Sequence, residues 1–213
     1  MKTEQLIELL ASRVTPVRPD EVRLRFLATL GVGVIAVLIT TLAILGPRPD
    51  LLAAMGLPMF WWKLAFPAGV AACAFVGLRR LGHPGVGLGV IPLLSAAPFL
   101  LAWTGSAAIL ASSLPADRPA LLLGESGLMC ALLISLLSLP ASAAAILAVR
   151  ALAPTRPSLT GAFAGLFAGA CAAFVYALHC TEMQLPFLGA WYGLGMLLPA
   201  AASAALAARD LRW

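Results

Sequence analysis

The stretch FLATLGVGVIAVLITTLAIL, residues 26–45, carries no charged side chain. At about 1.5 Å of rise per residue, a helix of this length crosses a hydrocarbon core of about 30 Å. A membrane β-strand does not fit, because the apolar run is continuous and lacks the period-two alternation of a barrel wall. A cleaved signal peptide does not fit either: the run starts only after a charged amphipathic stretch, and no small-residue cleavage site follows it. We read it as a membrane-spanning helix.

Five more runs of similar character follow, at about 61–78, 87–108, 126–149, 159–178 and 187–207. The whole chain of 213 residues is 62% hydrophobic and 11% charged, whereas a soluble domain is about one quarter charged. The expected fold is therefore an all-α membrane protein. It is a bundle of six transmembrane helices over 26–208, preceded by a cytoplasmic segment, 1–25, with a short amphipathic helix, and followed by a cytoplasmic tail, 209–213.

Orientation follows from the cations, since Lys and Arg in short loops stay on the cytoplasmic side. Lys2, Arg13, Arg18, Arg23, Arg25, Arg79, Arg80, Arg150, Arg156, Arg209 and Arg212 fall on one side, and only Arg48, Lys63 and Arg118 on the other. Both termini are expected to be cytoplasmic. The net charge of +5 reflects this topology, so no direct nucleic-acid partner is expected. Trp61, Trp62, Trp103, Tyr176, Trp191 and Tyr192 cluster near the opposite ends of the spans, as a headgroup belt would. Lys63, beside two of these tryptophans, is expected to snorkel toward water.

Inside the spans, Pro67, Pro92, Pro98, Pro140 and Pro199 each remove a backbone donor. Gly161, Gly165 and Gly169, continued by Ala173 and Ala177, line one face of the fifth helix, where another backbone can approach closely. That face suits packing within the chain and leaves room for a homo-oligomer. Ahead of the first span, TEQLIELLASRV places Leu6, Leu9, Leu10 and Val14 on one helical face, with Thr3 as an N-cap. Pro16 and Pro19 then interrupt it. Such a helix lies on a bilayer or docks in a partner's groove.

Chemistry concentrates in YALHCTE, residues 176–182. Cys73 and Cys171 lie within spans and read as packing residues. Cys130 opens the fourth span and Cys180 closes the fifth, so both are expected at the outer surface. The short connection ALAPTRPS makes these two spans antiparallel neighbours. Two thiols so placed in an oxidising compartment form a structural disulfide, or sense redox state. With His179 and Glu182 they also offer a sulfur, nitrogen and oxygen set for zinc, cadmium or another soft metal arriving as a signal, with no obligatory cofactor. Adjacent His179 and Cys180 reach one ion only if the helix ends there.

Catalysis finds no support: there is no intramembrane acid pair, no HExxH, no glycine-rich phosphate loop and no Cys-x-x-Cys. An ion pathway would place an acid or base at the centre of a span, and none does.

Several pieces together resemble one family, the NrsF-type inner-membrane regulators of extracytoplasmic-function sigma factors. They are MKTEQLIELLA, PVRP, RPDL, FWWKLAF, LSLP, PTRPSLTGAFAGL, YALHC and WYGLG, in order along nearly the whole chain. The resemblance implies an anti-sigma factor with six spans, a short cytoplasmic N-terminus and an outward-facing cysteine pair, here Cys130 and Cys180. It implies a sigma factor as partner and a Gram-negative source. The docking surface is placed by inference on the first 25 residues, at Leu6, Leu9, Leu10, Arg13 and Arg18. The competing reading is a membrane thiol redox carrier or small-solute transporter, in which the cysteines turn over and no sigma factor binds.

Overall fold

The computed structural model describes residues 3–12, 19–83, 85–152 and 154–210, apart from the side chains of Leu9, Leu10, Pro19 and Asp210. Arg13, Val14, Pro16 and Arg18 lie outside the described residues. Among those described, all regular structure is helical. A short helix α1 (Thr3–Ala11) precedes α2 (Pro19–Ile44), and a single turn α3 (Leu51–Ala54) leads into α4 (Pro58–Leu81) and α5 (Ile91–Ser112). The fourth span is assembled from α6 (Arg118–Leu123), α7 (Gly127–Leu137) and α8 (Leu139–Arg150). Then come α9 (Pro157–Tyr176), the turn α10 (Leu185–Phe187), a π-helical turn (Leu188–Tyr192) and α11 (Gly193–Asp210). Six of these helical stretches are long and apolar enough to cross a membrane.

Local chemistry sets the boundaries. Helix α2 starts at Pro19, well before the apolar run, because a proline in the first turn loses no hydrogen bond there, and Asp20 and Glu21 favour the positive helix end. It stops before Gly46, whose φ of 70° is open to glycine at little cost. Pro140 sits in the first turn of α8 and separates it from α7 at Ser138. Pro92 likewise occupies the first turn of α5, so of the expected interior prolines only Pro67, Pro98 and Pro199 lie within helices.

Two of those prolines are compensated by a neighbouring helix. A helical proline frees the carbonyl four residues earlier, and in hydrocarbon that acceptor needs a donor. For Pro98 the freed carbonyl is Leu94, which accepts from the Cys73 thiol of α4 at 3.5 Å. For Pro199 it is Gly195, which accepts from Ser135 Oγ of α7 at 3.4 Å. Cys73 thus has a polar task in addition to packing.

Helix α9 is the axis of the bundle: 67% of its span is buried inside the protein, against 22–44% for the other five. It packs along α11 and α4, and also touches α8, α2 and α7. The small-residue face explains how α11 comes so close. A β-carbon on Gly161 would strike the Ser203 carbonyl, one on Gly165 the Pro199 carbonyl, and one on Gly169 the Met196 backbone at 2.9 Å. The face reserved in the sequence for packing within the chain or for a second copy is thus filled by α11.

Replacing Gly165 by Val should force α9 and α11 apart and lower thermal stability in detergent by about 1–3 kcal/mol, the usual cost of overpacking. Gly31, where an added β-carbon would meet no atom within 4 Å, is the control. Gly31→Val should leave the melting temperature nearly unchanged in a tryptophan-fluorescence or scanning-calorimetry melt.

Candidate functional site

Helix α9 ends at Tyr176, and residues 177–184 leave it as irregular backbone before α10 begins. His179 N and Cys180 N both return to the Tyr176 carbonyl, at 3.0 Å each. The segment's remaining polar groups need partners from elsewhere, and other parts of the chain supply them.

The loop after α2 contributes two contacts. Arg48 N donates to the Leu178 carbonyl at 3.0 Å. His179 Nδ1 donates to the Gly46 carbonyl at 3.0 Å, which fixes the tautomer with hydrogen on Nδ1. From the first turns of α4, Lys63 Nζ donates to the carbonyls of Cys180 at 2.6 Å and Glu182 at 2.8 Å. Arg48 Nη1 reaches the same Cys180 carbonyl at 3.5 Å. Between α6 and α7, Glu125 N donates to Glu182 Oε1 at 2.8 Å. That junction turns at Gly124, whose φ is 55° and whose β-carbon position is walled by the Phe187 ring and Glu182 Oε1.

Two buried cations meet at this segment, and they are neutralised differently. Arg48 is bidentate to Asp50, Nε to Oδ1 at 2.6 Å and Nη2 to Oδ2 at 2.7 Å. This pair holds the half-exposed Asp50 below the usual carboxylate range. Lys63 is 0% exposed and makes no ion pair with a carboxylate among the described residues. Its ammonium has the two carbonyls and the face of Tyr192, 5.5 Å from the ring centroid. The expected snorkelling is thus overturned, because the side chain turns inward to carbonyls that need a donor.

The two cysteines lie against this cluster. Cys130, in the first turn of α7, is 0% exposed and shares hydrogen bonds with Ser126 Oγ and Tyr176 Oη, both at 3.1 Å. Cys180 is 5% exposed, and its side chain lies beside that of Cys130 in the same buried cluster. The Cys180 thiol is lowered from its ordinary value first by the neighbouring Cys130 thiol, and further by the Lys63 charge, the Tyr192 side chain and the Glu182 backbone, against the opposing effect of burial. Both cysteines are free and both are inside the bundle end, not at its surface as the topology suggested.

Tyr176 and Tyr192, assigned to a headgroup belt, are also buried, with ring centroids 6.0 Å apart. Tyr192 Oη is buried without a hydrogen-bond partner and lies near the Cys180 side chain. Trp61, Trp62 and Trp103 do remain exposed.

Of the four tentative metal ligands, the structure joins the two sulfurs and turns the other two elsewhere. His179 Nδ1 and Glu182 Oε1 each hold backbone of a neighbouring loop. No group of three or more His, Cys, Asp and Glu gathers among the described residues. Sequence reasoning missed Lys63, Arg48, Tyr176 and Tyr192 as members of the site. The available signal was a lysine and an arginine placed against the cation asymmetry of the chain.

Leu6 of α1 is exposed. Leu9 and Leu10 lie in α1 with side chains outside the described set, as are Arg13 and Arg18. Two open grooves adjoin the start of α2. One, of about 520 Å³, runs between Arg25, Phe26 and Leu147. The other, of about 300 Å³, is bordered by Arg23, Arg79, His83 and Leu152.

Comparison with known proteins gives one consistent result. The family model described as negative regulator of sigma F matches residues 10–213. The chain is 42% identical over 213 residues, the full length of both, to a probable anti-sigma-F factor of Azospira oryzae. It is 36% identical over 202 residues, 92% of each chain, to the anti-sigma-F factor of Caulobacter vibrioides. No solved structure matches.

The contact between the cysteines predicts that mild oxidation of the purified protein consumes two of its four thiols. The product should be an intramolecular Cys130–Cys180 disulfide, detected by thiol counting and peptide mass. Cys130→Ser should abolish it, and a wild-type protein keeping all its thiols would contradict the geometry.

Proposed function

The chain belongs to the NrsF family of negative regulators of sigma F, and from that premise we propose that it is a membrane anti-sigma factor. It holds an extracytoplasmic-function sigma factor at the inner membrane, away from RNA polymerase. It releases the factor when Cys130 and Cys180 meet a soft metal or an oxidant outside the cytoplasm. Both termini are cytoplasmic in this reading, as the cation asymmetry supports.

One observation supports the sensing half: two free cysteines 50 positions apart, one on α7 and one in the segment after α9, lie side by side and buried, next to a buried lysine. A two-electron oxidant converts the two thiols to a disulfide, accepting two electrons while both protons leave. A soft divalent cation such as cadmium instead takes both sulfurs as thiolates and displaces the same protons. Either event changes how α7 meets the end of α9. Because α9 is packed on several sides, it moves as a rigid body between discrete arrangements, and its other end adjoins the loop carrying Arg150 and Arg156. The signal biases release only through its different affinity for the holding and releasing states.

The sigma factor is held by the first 25 residues, where Leu6, Leu9, Leu10, Arg13 and Arg18 offer an apolar stripe with flanking charge. The groove bordered by Arg23, Arg79 and His83 offers a further basic surface.

Cys130→Ser and Cys180→Ser should each abolish induction of the sigma-dependent genes by cadmium or oxidant while the protein still inserts in the membrane. Normal induction in both variants would remove the cysteines from the mechanism. Deleting residues 1–20 should release the sigma factor constitutively. Unchanged co-purification of the factor with the truncated protein would move the docking surface to the loops.

A further inference from the structure

The first turns of α2 and the last turn of α4 meet around a groove of about 300 Å³. Arg23, Arg79 and His83 border it with one acid, Asp20, and Phe26 and Leu152 supply its apolar wall. An adjoining hollow of about 240 Å³ shares Arg79 and His83 and adds Arg80 and Val76. Helix α2 packs chiefly on α8 and α9, and α4 on α9 and α5, so the groove lies where these two spans are not filled by each other.

The cations here are not equally free. Arg80 Nη1 donates to the Leu88 carbonyl at 3.2 Å and so holds the loop after α4. His83 Nδ1 donates to the Arg79 carbonyl at 2.8 Å, which leaves Nε2 without a hydrogen bond among the described residues. The Arg79 guanidinium lies over the Phe75 ring, 5.9 Å from its centroid, and that ring packs on Phe26 and Phe167 at 6.3 and 6.1 Å. Neither Arg79 nor Arg23 forms an ion pair among the described residues. An arginine held by an aromatic face keeps its N–H donors for an acceptor from outside, and a phosphate takes two of them at once.

Position selects the kind of phosphate. Arg23 stands one turn outside the uncharged run that begins at Phe26, and Arg79 falls in the last turn of α4, so both lie at the depth of lipid headgroups. Beside the groove the two helices expose Leu27 and Val76, an apolar flank that a water-soluble anion leaves bare and acyl chains cover. We propose that this groove binds an anionic phospholipid, with the phosphate between Arg23 and Arg79 and the acyl chains along Phe26, Leu27 and Val76. A zwitterionic headgroup brings its own cation to the two arginines, so the net charge of the headgroup sets the preference. The bound lipid joins the start of α2 to the end of α4. The site depends on neither the cysteines nor the sigma factor.

The test is native mass spectrometry of the full-length protein in a neutral detergent, titrated with phosphatidylglycerol or with phosphatidylcholine of the same acyl chains. Wild type should retain phosphatidylglycerol about tenfold better. Arg23→Gln combined with Arg79→Gln should bring the two lipids to equal retention, whereas Arg118→Gln, at an exposed arginine of α6 outside the groove, should change nothing. Equal retention by wild type overturns the inference without any variant, so a double variant that fails to fold does not rescue it. A folded double variant with its preference intact overturns it as well, and if that variant also loses the sigma factor, the groove belongs to the protein partner. Glycerol phosphate at the concentration of the lipid should not displace it; displacement would make the ligand a soluble anion and overturn the lipid assignment.

Discussion

A carbonyl that leaves a helix inside an apolar bundle has no water to accept from, and this constraint organises the cysteine end of the protein. The segment 177–184 is such a departure. Its carbonyls are met by a lysine from α4 and an arginine from the loop after α2, two groups that must themselves be buried to reach them. Once the cations are inside, the remaining arrangement follows. Asp50 is recruited to Arg48, the Tyr192 ring faces Lys63, and Cys180 is held where its sulfur meets Cys130. The same requirement explains the interior prolines: Cys73 and Ser135 each serve a carbonyl freed by a proline on the next helix.

Rigidity and reactivity are divided between two parts of one span. Helix α9 is nearly all Gly, Ala and Phe on its buried faces, and it accepts the backbone of α11 where a β-carbon would collide. It is a poor candidate for gradual bending, because close packing permits repositioning more readily than deformation. The segment after it is the reverse, fixed by a few hydrogen bonds to charged groups.

The chain belongs to a family of negative regulators of sigma F. At its cysteine end the geometry brings two sulfurs together and does not form the four-ligand set, since His179 and Glu182 are spent on holding loops.

The number of spans, their helical nature, the small face of α9 and the candidacy of Cys130 and Cys180 were legible in the residues alone. Each depends on a property that acts locally: apolar length against bilayer thickness, side-chain size at four-residue spacing, and the depth of a residue along its own helix. Lys63, Tyr176 and Tyr192 were misplaced by the same reasoning, which assigned each to the lipid interface because it stands near a span end. Depth along a helix is written in sequence, but the direction a side chain faces is set by what lies beside it. Only the folded chain put two orphan carbonyls within reach of Lys63, and burial of a charge is decided by such partners, drawn here from residues more than a hundred positions away.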